Sequence, residues 1–193
     1  ESFREARRAR QVMANGAVSA MCAGVLGYID FFGIVGEQPM GLSQVEWQYV
    51  MRLALAGAFA AAAADTWATE IGKWAGARPR TALTGRTLSA GESGGMPAHG
   101  TFSGLLGAAV IGFVAALVWE DFGVFEAVLI TVAGFAGMWF DSLLGASVQY
   151  KAECDICGHT EDRRHPHKVT RLQGLTWCDN DVVNLAATVF GAG

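Results

Sequence analysis

Charge is what this chain lacks. Only 17% of its 193 residues are Asp, Glu, Lys or Arg, against the quarter or so usual in soluble domains. That shortage excludes a disordered chain, which needs charge and low hydrophobicity. Cysteine is scarce too, with 4 in the whole chain, so no disulfide scaffold is built. Excess positive charge is missing: the formal net charge is −4, which excludes a typical nucleic-acid binder. There is no GxxxxGK[ST] phosphate loop and no protein-kinase motif set. A cleavable leader is not expected, because the charged start runs into no short apolar stretch with a cleavage site. The chain starts at Glu1 rather than Met, as expected of a fragment. What it has instead is apolar mass: 52% hydrophobic residues, 25 glycines and a mean hydropathy of +0.29. The class that fits is an all-α, polytopic membrane helix bundle.

A spanning helix needs about 20 mostly apolar residues. Five segments qualify as candidates: 12–34, 45–65, 102–119, 124–150 and 173–193. The fourth contains Asp141, and the fifth contains Asp179 and Asp181, which makes it marginal by hydropathy alone. Basic residues orient the bundle. All 14 except Arg52 fall in three places: the first eleven residues, the loop 66–101 and the loop 151–172. The short connections 35–44 and 120–123 hold none. The N-terminus and both long loops are therefore expected in the cytoplasm, on a single transmembrane domain covering 1–193. Small residues recur every four positions, as in Ala56-Ala60-Ala64, Gly104-Ala108-Gly112 and Ala133-Gly137. Such rows let helix backbones approach closely.

Polar residues form stripes at the expected cytoplasmic ends. Gln11, Asn15 and Ser19 are four apart, as are Asp141, Gly145 and Gln149, with Ser142 beside them. Asn180, Asn184 and Thr188 repeat the spacing beside Asp181, and the second helix ends with Asp65 over Thr69 and Thr66 over Glu70. Four-residue spacing keeps side chains on one helical face. Ionisable groups within a membrane cost about 2.5–3.5 kcal/mol each on insertion scales. One such residue reads equally well as an interhelical hydrogen bond. Four stripes on one side suggest a polar pocket with Asp65, Glu70, Asp141 and Asp181 on its walls. Clustered carboxylates repel unless a cation joins them. An all-oxygen set suits magnesium, which uses one or two carboxylates plus substrate phosphates.

The first long loop carries Arg78, Arg80, Arg86, the stretch Gly91-Glu-Ser-Gly-Gly95 and then Thr101. Arginine forks bind phosphate, and glycine turns such as Gly94-Gly95 can aim amides at an anion. Alone, that stretch is more often a flexible turn. The second loop carries Cys154 and Cys157 with His159, His165 and His167. This is a candidate zinc site of non-standard spacing; plain loop residues or a redox pair are the alternatives. Cys22 and Cys178 are expected inside helices, in the core.

These residues also occur as an ordered set. Gln11-Val-x-Ala-Asn-Gly16, Asp65-Thr-Trp-Ala-Thr-Glu-Ile-Gly72, Pro79-Arg80, Gly91-x-x-Gly-Gly95 with Gly100-Thr101, Asp141-Ser-x-x-Gly-Ala146 with Gln149, and Cys-x-x-Cys with Thr160-Glu161 before Asn180-Asp-Val-Val-Asn184 follow one another. Over essentially the whole chain this resembles the integral-membrane family that includes the plant phytyl-phosphate kinase of tocopherol synthesis, once known only as domain of unknown function 92. The resemblance implies phosphoryl transfer from a nucleoside triphosphate to an isoprenoid monophosphate, giving the diphosphate. By analogy with membrane kinases of the free alcohol, CTP is the favoured donor. Magnesium would then sit among Asp65, Glu70, Asp141 and Asp181, with Arg80 and Arg86 neutralising the transferring group. Gly94 and Gly95 would cradle phosphate oxygens, and Gln11, Asn15, Thr66, Thr69, Thr101, Ser142, Gln149, Asn180 and Asn184 would orient ligands. Family members usually carry further helices before the Gln-Val-x-Ala-Asn-Gly motif, whereas few residues precede it here. The rival readings are a transporter with a cytoplasm-facing polar pocket, another lipid phospho- or cytidylyltransferase, and a non-catalytic scaffold.

Overall fold

Long apolar stretches interrupted by charged or glycine-bearing turns leave the backbone one economical solution in lipid, the helix. The computed structural model describes residues 9–33, 39–76, 79–81, 84–85, 87, 94–156, 160–161 and 168–193. It contains α1 (Ala9–Phe32), α2 (Gln44–Trp74), α3 (Ala98–Val118), α4 (Val124–Ser147) and α5 (Asn180–Ala192). Two small antiparallel ladders join them, a feature the helix periodicity does not foretell. One pairs β1 (Arg80–Thr81) with β2 (Gly95–Met96). The other orders β4 (Thr160–Glu161), β3 (Lys151–Cys154) and β5 (Val169–Gln173), with β3 in the middle.

α1, α3 and α4 are each long and apolar enough to cross a membrane. α2 is the longest helix, at 31 residues, or about 46 Å at 1.5 Å per residue. That exceeds the roughly 30 Å hydrocarbon core. The helix, expected to end at Glu70, continues to Trp74. A capping box starts α2: the Glu46 carboxylate accepts from Ser43 N at 2.7 Å, and Glu46 N donates to Ser43 Oγ. The fifth segment differs most from expectation. Residue 173 ends a strand, Cys178 lies buried in a turn rather than in a helix, and α5 itself has 13 residues, about 20 Å. The Asp179 carboxylate sets that start by accepting from Asp181 N and Val182 N. Such capping satisfies amides that have no partner within the helix.

α2 runs through the middle, packed against all four other helices, while α5 lies between α1 and α4. The expected small-residue rows are the contact surfaces. Ala56, Ala60, Ala64 and Ala108 are buried. A methyl at Gly137 would stand 2.7 Å from Ala61 Cβ and 3.0 Å from Ala187 O. Gly134 lies against Ala60, Gly104 against Met138 and Ala64, and Gly57 against Gly191. With lipid outside, close backbone packing replaces the hydrophobic effect as the force joining helices. Large apolar side chains point outward instead, among them Phe31, Phe102, Phe113, Leu117, Val128 and Val132. So much exposed apolar surface fits lipid rather than water.

Contacts define two ends. At one, Gln48 donates to Asp30 at 2.6 Å, Tyr49 to Glu126 at 2.9 Å and Arg52 to Asp121 at 3.0 Å. That end holds the turns after α1 and α3. At the other, the start of α1 meets the start of α5, and the end of α2 meets the start of α3, where Gly72 faces Pro97. There Tyr150 N donates to Cys178 O at 2.7 Å and Leu175 N to Val148 O at 2.9 Å. Those bonds clamp the three-stranded ladder onto the same end.

Candidate functional site

Helix register brings the polar residues together at this second end. Gly137 of α4 touches both Ala61 of α2 and Ala187 of α5. One turn nearer the end, α2 presents Asp65, α4 Asp141 and α5 Asn184. Asp65 is half-buried, while Asp141 and Asn184 are buried. Helix register sets Asp65 and Asp141 at the same level on two packed helices. Asp141 Oδ2 is buried with no hydrogen-bond partner. A carboxylate oxygen out of water and unmatched is costly. Here a second acid faces it, which adds repulsion. A cation held between the two would offset both costs.

The other acids are placed differently. Asp181, one further turn out on α5, is buried and lies 3.3 Å from Arg10 Nε of α1. Asp179 lies 3.2 Å from Arg10 Nη2. Glu70 is exposed on α2 and faces Lys73 at 3.8 Å. Among the described residues, no group of three or more His, Cys, Asp or Glu side chains is placed to hold one metal ion. The four acids therefore divide into one facing pair, Asp65 with Asp141, and two that meet cations of the chain.

Gln11 and Asn15 are half-buried on α1, above buried Ser19. Thr188 Oγ1 donates to Leu185 O at 2.9 Å and reaches Ala14 O at 3.5 Å, tying α5 to α1. Thr66, Ser142 and Asn180 are half-buried, and Thr69 is exposed. Gln149 is fully buried but lies beyond the end of α4, so it does not share the helical face of Asp141. Gln173 Nε2 donates to Gly145 O at 3.3 Å, close to that stripe.

Gly94 seats the first loop on α4. Its φ is +82°, and a methyl there would stand 2.6 Å from Ala146 N. Only glycine meets both conditions without strain. Gly95 follows in β2 paired with Thr81, next to exposed Arg80. Thr101 Oγ1 donates to Pro97 O at 3.2 Å in the first turn of α3. Arg78 and Arg86 lie outside the described residues, as do Cys157, His159, His165 and His167 of the candidate zinc set. Cys154 is buried in β3.

Arg10 and Asp179 escaped sequence reasoning as site residues. Asp179 carried a readable signal, an acid just before an apolar helix, which is a cap pattern. Arg10 carried none, since its partner Asp179 lies 169 residues away.

A small-residue-packed bundle with a lipid-facing exterior and polar residues gathered near one end is an integral membrane protein. The chain belongs to the family described as Integral membrane protein DUF92, which it matches over residues 1–192. It is similar to Protein PGR of Arabidopsis thaliana, 30% identical over 68% of this chain and 49% of that one. Protein VTE6, chloroplastic, of the same plant is 25% identical over 98% of this chain and 47% of its own length. An uncharacterised membrane protein of Methanocaldococcus jannaschii is 35% identical over 48% of this chain and 38% of its own. The chain thus spans about half the length of the plant relatives it matches. No solved structure matches it.

Proposed function

We propose that this chain transfers a phosphoryl group from a nucleoside triphosphate, CTP by preference, to an isoprenoid monophosphate such as phytyl phosphate. The observation that carries the reading is the buried Asp141 oxygen without a partner, facing Asp65 at the polar end. Membership of the family and the ordered motifs support the reaction class.

The donor set fits magnesium. Two carboxylates from facing helices leave further coordination positions for water and phosphate oxygens, the usual arrangement for this ion. Asp65 and Asp141 would hold it, with Glu70 and Asp181 on the rim. Bound there, magnesium would supply charge neutralisation to the phosphates. The residues of the chain do the rest. Arg80 and Arg86 offer guanidinium forks to phosphate oxygens, and the amides of Gly94 and Gly95 cradle them. Gln11, Asn15 and Asn184 orient ligands or contact the base or ribose of the nucleotide. The prenyl chain lies among the apolar helices, which keeps its phosphate at the membrane surface. A phosphate oxygen of the acceptor forms a bond to the γ-phosphorus as the β–γ bridging P–O bond breaks. The nucleoside diphosphate departs and the prenyl diphosphate remains. The acceptor is already anionic near neutral pH, so positioning and charge neutralisation suffice without a general base. The polar end faces the cytoplasm, as the basic residues predict.

The test is detergent-purified protein with magnesium, phytyl monophosphate and CTP, ATP, GTP or UTP in turn, the lipid read by mass spectrometry. The expected result is a gain of one phosphate that needs both the metal and one triphosphate. No product, from protein whose melting temperature ignores every nucleotide, would overturn the reading in favour of transport.

A further inference from the structure

Arg10 has no part in the motifs above, yet it pairs with Asp179 and the buried Asp181. Its side chain is 70% exposed, while the two carboxylates that hold it are 23% and 8% exposed. An exposed arginine is ordinarily a loose, solvated chain whose ion pairs contribute little. This one donates from Nη2 to Asp179 at 3.2 Å, and its Nε lies 3.3 Å from Asp181 in an ion pair. Asp179 is itself fixed, because its other oxygen caps α5. The guanidinium carries five donors in one plane. Two carboxylate contacts leave the rest of the fork facing water.

Its position matters as much as its order. Ala187 of α5 lies against Gly137 of α4. Counting out from there, Asn184 comes level with Asp141 and Asp181 stands one turn further out. That turn is about 5 Å along the axis. The guanidinium, ion-paired to Asp181, therefore stands about one helical turn further out along the bundle than Asp141.

We infer that Arg10 is a phosphate-binding residue of this site, aimed by Asp179 and Asp181; the inference rests on the phosphoryl-transfer reading. The ligand is a phosphate or diphosphate group presented together with a divalent cation. Asp181, matched by Arg10, is a positioning residue for the guanidinium. The chemistry favours arginine because its planar fork takes two oxygens of one phosphate at once. Pre-ordering by two acids removes the entropy that a free arginine would lose on binding.

The test is calorimetric binding of magnesium pyrophosphate to the detergent-purified chain, with no turnover required. Arg10→Gln is expected to weaken binding by about tenfold to a hundredfold, the loss of a charge-assisted hydrogen bond. The double variant Arg10→Gln with Asp181→Asn removes the unmatched buried acid and separates the two roles. If Arg10 binds phosphate, the double variant stays weak. If Arg10 serves only to neutralise Asp181, the double variant recovers and the inference fails. Wild-type affinity in Arg10→Gln also refutes it. Should Arg10→Gln not yield folded protein, Arg10→Lys decides: it keeps the charge opposite Asp181 but loses the fork. Weakened binding then supports the role and full binding overturns it. A chain that binds pyrophosphate through Arg10 but phosphorylates no lipid would refute the kinase reading alone.

Discussion

Replacing Asp141 by Asn should stabilise the protein while abolishing its activity. In the wild type, one oxygen of this carboxylate is buried without a hydrogen bond, and Asp65 faces it. Placing an acid in the apolar part of a helix costs about 2.5–3.5 kcal/mol on insertion scales. Asn keeps the shape and removes the charge, but its amide leaves some polar atoms unmatched. The net gain expected is about 1–2 kcal/mol. For a chain of this size that corresponds to a rise of about 2–8 °C in Tm, measured in detergent without magnesium. Turnover should fall by about a hundredfold to a thousandfold, because removing one charge-stabilising group at a reacting centre costs that order. Magnesium should raise the Tm of the wild type, since a ligand of the folded state stabilises it by mass action, and should leave that of the variant unchanged. A variant that melts lower than wild type and still phosphorylates lipid in the presence of magnesium would show that Asp141 is a structural acid.

Other expectations follow from single contacts. Gly137→Ala would drive a methyl to within 2.7 Å of Ala61 Cβ. Overpacking of this kind should cost about 1–3 kcal/mol, measurable by titrated unfolding in mixed detergent, and no loss of stability would mean that α2 and α4 are less closely packed than described. Gly94→Ala combines a φ of +82° with a clash against Ala146. It should cut turnover at least tenfold by lifting the first loop from α4, with the helical circular dichroism unchanged; retained activity would dissociate that loop from the site. Ser43→Ala removes the cap of α2 at the opposite end, 3.3 Å from Glu46 N. It should lower stability by about 1 kcal/mol and leave the KM for any triphosphate untouched. Tyr49→Phe deletes a 2.9 Å hydrogen bond to Glu126, and a melting shift should appear there too without any change in catalysis.

Much of the architecture was legible because its causes are local. Apolar runs of about 20 residues and basic connections mark α1, α3 and α4 without reference to the rest of the chain. Alanines and glycines at four-residue spacing on α2, α3 and α4 announce close helix contacts, and Gly134, Gly137 and Ala60 make them. The polar stripes were readable for the same reason, since period alone puts Asp65 and Thr69, or Asp141 and Gly145, on one face. Where the signal was ambiguous, sequence reasoning went astray. The stretch before Asn180 was apolar enough to pass for helix, but Asp179 caps α5 and the preceding residues form a strand and a turn. Gln149 shares the spacing of Asp141 but lies past the last turn of α4.

By itself, then, the sequence determined a membrane bundle, its small-residue seams and a set of polar residues near one end. Those properties depend on composition and on the 3.6-residue period, which neighbouring residues enforce. Only the tertiary structure decided which acids face each other and which meet cations. Asp141 meets Asp65 because Gly137 lets α4 approach α2, and Asp181 meets Arg10 because α5 returns to lie beside α1. Pairings between residues far apart in the chain have no local pattern. They exist only when the packing of intervening helices brings the two surfaces into register.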